Sequence, residues 1–301
     1  MTDNMFCDLK TGVCGPANEE ETNGLIDFAP QMPKMTLYYV TDPICSHCWA
    51  LEPVLGRFIR QYGQYFNVTI AMGGLLPSWH GFGDRANGIQ KPSDVAGHWR
   101  EVGEHSRMPI DGSVWLDNPL QSSFPPSRVF KVIQNKHAGK EQEFLRKARE
   151  QLFAFNENIA EDLTMIRLVD EIGLDGKAIV DEAATEAAQD LLEEDFALAS
   201  RLGVRGFPTI ILMNEENKGV KIVGAQALDT YVKGLESVLK QKPTPAEVPA
   251  LADWFSGKEH LFAKEIEVMY DLQPDQTEAF ITAQLSGRPH RVQQVLGELY
   301  I

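Results

Sequence analysis

Cysteine is scarce, basic residues are outnumbered, and no apolar run is long. Four cysteines in 301 residues cannot staple a chain of this length, which excludes a disulfide-framework scaffold. Against 43 Asp and Glu stand only 28 Lys and Arg, a formal net charge of −15. Phosphate backbones and anionic membrane surfaces repel such a chain, so neither nucleic acid nor a membrane is an expected partner. No stretch approaches the length of a membrane span. The first residues, Met1-Thr2-Asp3-Asn4-Met5-Phe6-Cys7-Asp8, have no basic n-region and no apolar h-region. A secretory signal is therefore not expected, and a cytoplasmic location is. In that compartment a Cys-x-x-Cys pair is redox-active or metal-binding rather than structural.

The remaining composition, 43% hydrophobic and 24% charged, suits a globular protein with ample core: one large domain with an insertion, or a domain and a small appendage. Residues 1–33 are polar, with Glu19-Glu20-Glu21, and read as a flexible N-terminal tail that carries Cys7 and Cys14. Residues 35–41 are β-branched and aromatic, bounded by Pro33 and Asp42-Pro43, which predicts a buried strand. Helical periodicity follows over 46–65, with Pro53 placed to kink the helix. A second strand over 67–72 closes at Gly73-Gly74, completing a βαβ unit. Residues 92–202 read as helical, in segments 93–106, 126–138, 140–154, 162–172, 177–185 and 187–202. Strands over 209–213 and 219–224 and a helix over 227–240 come next. Three prolines in residues 241–249 mark a linker, and 250–301 read as a small helical appendage. This order predicts an α/β architecture: a thioredoxin fold over 34–240, split by a large helical insertion at about 92–202, with a C-terminal helical appendage.

The chemistry concentrates at Asp42-Pro43-Ile44-Cys45-Ser46-His47-Cys48-Trp49. Cys45 follows a strand and opens a helix, where unpaired N–H groups and the helix dipole favour a thiolate. Cys48 lies one turn on, placed to resolve a mixed disulfide. The alternative, half of a zinc site, needs two further ligands; Cys7 and Cys14 are separated by six residues in the tail, and no metal is favoured. His47, between the thiols, can donate to the Cys45 thiolate or add positive charge beside it; otherwise it is an exposed loop histidine. His80 and His98 lie near the segment facing the dithiol, without an assigned role. Ser46, Trp49 and Phe207 flank the thiols and the proline loop as candidate substrate contacts, Trp49 also reading as packing over Cys48. Pro208 marks a strand start. Cys7 and Cys14 form a possible second thiol pair: a disulfide, metal ligands, free thiols, or a shuttle to Cys45 and Cys48. The appendage has eight acidic and four basic residues over 251–301, which argues against a DNA-binding helix-turn-helix and for a cap or a docking surface.

Asp42-Pro43-x-Cys45-x-x-Cys48-Trp49, Gly73-Gly74-Leu75-x-Pro77 and Phe196-Ala197-Leu198-Ala199-x-x-Leu202-Gly203-Val204-x-Gly206-Phe207-Pro208-Thr209 together resemble the DsbA superfamily, in its FrnE-like branch, over about residues 35–240. The resemblance implies Cys45 as nucleophile, Cys48 as resolver and Pro208 in cis, in a cytoplasmic thiol–disulfide oxidoreductase or isomerase. Its substrate would be a protein or small-thiol disulfide, and it would need no cofactor. Ser46 stands where DsbA has proline, so DsbA's potential does not transfer. A second resemblance, carried by Asp42 through Pro53, the chain length and Lys264-Glu265-Ile266-x-x-Met269-Tyr270-Asp271-Leu272, is to the SpxH (YjbH) family of adaptors that bring the regulator Spx to the ClpXP protease. The chain departs from it in its enzyme-like Gly-Gly-Leu and Gly-Phe-Pro-Thr runs, and in having Cys7-x6-Cys14 in place of a His-rich cluster. The oxidoreductase reading leads on these grounds, the adaptor reading follows, and a zinc-bound scaffold is third.

Overall fold

The computed structural model describes residues 5–8, 13–16, 35–84, 87–255 and 260–301. It divides into two units, Met1–Met32 and Pro33–Ile301. In the first, β1 (Met5–Asp8) and β2 (Val13–Pro16) pair antiparallel, and Cys7 stands opposite Cys14. Part of the segment read as a flexible tail is thus a hairpin. Met5-Phe6-Cys7 and Val13-Cys14 are short, β-prone and apolar, a pattern masked by the polar residues around them. The rest of that expectation lies outside the described residues.

The second unit begins with β3 (Met35–Thr41), α1 (Ser46–Tyr62), a single 3-10 turn (Gly63–Tyr65) and β4 (Phe66–Met72). β3 and β4 are parallel, from Met35 against Phe66 to Thr41 against Met72. Parallel neighbours need a crossover, and α1 supplies it. The helical insertion follows: α2 (Pro92–Ser106), α3 (Val114–Asp117), α4 (Phe124–Lys136), α5 (Lys140–Arg149), a π-helical turn (Glu150–Ala154), α6 (Asp162–Glu171), α7 (Gly176–Ala183) and α8 (Glu186–Arg201). The chain then returns to the sheet through β5 (Thr209–Met213), β6 (Gly219–Val223) and α9 (Leu228–Leu239). Strand order is β4-β3-β5-β6, with β5 antiparallel to both β3 and β6. This is a thioredoxin fold with a large helical insertion.

β3 is central and covered on both faces. Leu37 and Tyr39 join the main core with α1, while Val40 packs with Ala71 and Ala199 on the opposite side. The insertion is fastened to the sheet by Asp195 of α8, which accepts the Met72 N–H at 2.8 Å and pairs with Lys131 of α4 at 2.6 Å.

The remaining segments are α10 (Leu251–Trp254), α11 (Ala263–Tyr270), a 3-10 turn (Pro274–Gln276), α12 (Thr277–Gln284) and a hairpin of β7 (Gln293–Val295) and β8 (Glu298–Tyr300). The helical patterning read through to the end of the chain therefore gives way to strands. Leu296 and Gly297 both take positive φ, 52° and 85°, which makes the tight turn that hairpins favour. Residues 241–249, read as a linker, are tied to the end of α1: the Ala246 N–H donates to Gln61 O at 2.6 Å and the Thr244 N–H to the Tyr65 hydroxyl at 2.9 Å. α11 lies on α1, with Phe262 5.5 Å from Trp49, ring to ring. Arg146 of α5 grips Glu265 with two bonds of 2.7 and 2.8 Å, and Arg107 grips Glu267 at 2.7 and 3.0 Å.

Candidate functional site

β3 ends at Thr41 and α1 starts at Ser46, so four residues carry the chain from the sheet into the helix. Asp42 organises them. Its buried carboxylate accepts the N–H of Ile44 at 3.1 Å, that of Leu75 at 2.8 Å and the Ser123 hydroxyl at 2.9 Å. Burial pushes the Asp42 carboxyl up to about 6, although these donors and the Arg149 charge pull the other way. Cys45 is the N-cap residue of α1, and its sulfur accepts the Cys48 N–H at 3.4 Å. A sulfur in this role meets the unpaired donors of a helix start. Both cysteines are free thiols; Cys45 is 6% exposed and Cys48 is fully buried.

The two thiols face one another, and burial acts on both. The Cys45 thiol donates to the Cys48 sulfur; that bond, with burial, raises Cys45 well above its ordinary value. Burial alone would also raise Cys48. The bond from Cys45, the charge of Arg149 and the Thr41 hydroxyl outweigh it, and Cys48 lies below its ordinary value. Arg149, a cation from α5 more than a hundred residues on, thus reaches the surroundings of the dithiol.

A cavity of about 280 Å³ opens beside Cys45, lined by Ser46, His47, Trp79, Trp99 and Phe207 among others. His47 and Phe207 also line a second cleft of about 690 Å³ with His98, His105, Pro208 and Lys264. The Phe207–Pro208 bond is cis. Cys45, Ser46, His47 and Phe207 thus share the first cavity, and Pro208 lines the second cleft, which His47 and Phe207 join to it. Glycine makes the approach possible: a Cβ on Gly73 would sit 2.0 Å from the Phe207 ring. His47 is exposed at the rim, its ring 5.6 Å from His98. Partial desolvation, then the neighbouring charges of His98 and His105, hold its imidazole below the usual range. His47 therefore stands at the rim chiefly as a neutral imidazole near neutral pH.

Trp49 is the one candidate contact that faces away. It is fully buried, donates to Pro109 O at 3.0 Å and is stacked against Phe153 and crossed by Phe262. It serves as packing under α1 and is out of reach of a substrate. Cys7 and Cys14 belong to the other unit, and their side chains lie outside the described residues. Among the described residues no three His, Cys, Asp or Glu side chains cluster so as to hold a metal ion.

Arg149, Thr41, Asp42 and Tyr39 surround the dithiol from below, and the sequence reading gave none of them a role. A sign of Arg149 was present. It occupies the apolar i, i+4 stripe Leu145, Arg149, Phe153, where a charged residue must be buried and paired.

A family model described as Thioredoxin matches residues 38–233. The chain belongs to the thioredoxin family. Among thioredoxin-family relatives, the ClpXP adapter protein SpxH of Halalkalibacterium halodurans is 30% identical over 276 residues, covering 90% of this chain and 88% of that one. The SpxH of Bacillus subtilis is 29% identical, covering 83% and 82%. Among solved structures, the cytosolic disulfide reductase DsbM from Pseudomonas aeruginosa superposes with a TM-score of 0.55 at 20% identity, over 68% of this chain and 98% of its own. No helix among the described residues is long and apolar enough to cross a membrane.

Proposed function

We propose that the chain is an SpxH-type adapter that delivers a Spx-like regulator to the ClpXP protease in the cytoplasm. The observation that carries this reading is the extent of the likeness. The disulfide reductase neighbour covers 68% of this chain, whereas the SpxH relative covers 90%. Coverage of that extent leaves little of this chain without a counterpart in the adapter. In the structure α11 lies beyond the residues that the Thioredoxin model matches, and ion pairs tie its segment to α1 through Arg57, to the end of α2 through Arg107 and to α5 through Arg146. Binding by an adapter draws on buried anchors rather than on one sulfur.

A second reading, thiol–disulfide exchange, is favoured by the intact dithiol: two free thiols, one at a helix start beside an open cavity and a cis-proline loop. In that reading Cys45 is attacked or attacks at the opening and Cys48 resolves. Reconstituted degradation of Spx by ClpXP, set beside insulin reduction by the same sample, tests both. Acceleration of degradation that survives Cys45→Ser supports the adapter. Disulfide turnover by the wild-type chain, lost in Cys45→Ser, supports exchange.

A further inference from the structure

The cleft of about 690 Å³ holds a group of side chains that neither reading of the function uses: His47 from α1, with His98 and His105 from α2. His98 and His105 are two helical turns apart and so share one face of α2. The His47 ring stands 5.6 Å from the His98 ring. Among the described residues none of the three takes a hydrogen bond or an ion pair, in contrast to His260, whose ring meets Glu150 at 3.1 Å. Nor do they converge there as metal ligands would. The fixed charges lining the cleft are Lys264 from α11 and Glu101 from α2, one of each sign. The adjoining cavity, which His47 and His98 also line, adds Arg205 and Asp84, again one of each sign, and the Cys45 thiol. Glu104, next to His105, lines a different cleft. Glu267, 3.7 Å from Lys264, is held by Arg107 at 2.7 and 3.0 Å. The fixed charges offset one another, so the imidazoles set the sign of the cleft, and histidine gains its charge between about pH 5 and pH 8.

We infer that His47, His98 and His105 make this cleft a docking site for an acidic peptide segment of a partner, one that strengthens as the imidazoles take up protons. A chain with a net charge of −15 repels an acidic ligand over most of its surface. The cleft is a place where protonation reverses that sign. Its lining favours a peptide over a bare anion. Leu51, Val54, Val102 and Phe207 supply apolar surface, from which an inorganic anion gains nothing, and a cleft of this volume takes ligands much larger than one ion. Carboxylates of the segment meet the imidazoles and Lys264, while its apolar side chains cover the rest. His47 gains its charge last as pH falls, because partial burial and then the charges of His98 and His105 hold it below the usual range. Rings that share one cleft affect one another in this way. If protons favour the peptide, the peptide must by linkage favour protons. The inference goes beyond both readings of the function, since no sulfur takes part in it.

The test uses the full chain, kept reduced, and a rhodamine-labelled peptide of leucine and glutamate without cysteine, followed by fluorescence anisotropy. Affinity should rise about tenfold or more between about pH 8 and about pH 6. The double variant His98→Gln with His105→Gln should lose most of that rise and keep the affinity of the wild-type chain at about pH 8. Lys264→Gln should weaken binding, and Glu101→Gln strengthen it, at both ends of the range. Calorimetry near the midpoint, in buffers of different ionisation enthalpy, should show protons taken up on binding. A peptide with lysine in place of glutamate should gain nothing from the lower pH. Affinity that does not change with pH, or the same rise in a folded double variant, overturns the inference. If the double variant does not fold, unchanged or weaker binding in Glu101→Gln overturns it. Displacement of the peptide by an equal concentration of inorganic phosphate would mean an anion site only, and overturns the assignment to a peptide.

Discussion

Asp42 is the residue whose protonation the fold most visibly constrains. Its carboxyl rises from 3.8 to about 6 because it is buried. A value higher in the folded than in the unfolded chain means that folding favours the protonated form. The associated stability is fully present below the unfolded value and is lost as pH rises through about 6, a difference of about 3 kcal/mol. Thermal melts should accordingly fall between about pH 4 and pH 7 through this group, and Asp42→Asn should flatten that slope even if it lowers stability throughout. An unchanged slope in Asp42→Asn would assign it to other groups. Gly73 offers a steric test at the same scale. Its Cβ would meet the Phe207 ring at 2.0 Å, so Gly73→Ala should cost about 1–3 kcal/mol of unfolding free energy, read from denaturant melts, and displace Phe207 from the opening.

Among the elements, the segment from α10 to β8 behaves as part of the thioredoxin unit. Phe262 is fully buried against Trp49 and Tyr300, and the Arg146 guanidinium sits 4.9 Å from the Trp49 ring while pairing with Glu265. Phe262→Ala should therefore lower unfolding free energy by about 3–5 kcal/mol, measured by urea melts. A chain cut near Pro245 is expected to lose stability sharply as well, because Trp49 would lose the cover of Phe262 and Arg146 its pair with Glu265. The separable appendage suggested by the proline-rich stretch is not what the packing supports. Elements with one dominant periodicity were legible: β3 and β5 fall at the bounds that Met35–Thr41 and Thr209–Met213 suggest. The hairpin at Leu296-Gly297 was not, since Val292, Val295, Leu296 and Leu299 also fit a helical face, and only the paired positive φ angles decide it. Local sequence marks Cys45 and Cys48 at the helix start, whereas the cis state of the Phe207–Pro208 bond was implied only by the family resemblance. Arg149 reaches the loop before Cys45 through tertiary packing alone, so its place beside the dithiol was hidden.

For the whole molecule, the issue is whether one continuous surface or one pair of sulfurs does the work. An SpxH relative covers 90% of the chain, and the C-terminal elements are clamped to the helix at the dithiol by Arg57 and to the helical insertion by Arg107 and Arg146. An adapter needs that surface intact and tolerates a serine at position 45, which lies at a helix cap and keeps an acceptor there. An exchange catalyst needs the Cys45 sulfur, since it forms the mixed disulfide that Cys48 resolves. Reconstituted degradation of Spx by ClpXP, with wild-type chain and with Cys45→Ser matched for thermal stability, separates the two most directly. The adapter account expects both proteins to accelerate degradation to a similar extent. A wild-type chain that leaves the degradation rate unchanged while turning over insulin disulfides, an activity lost in Cys45→Ser, would contradict it.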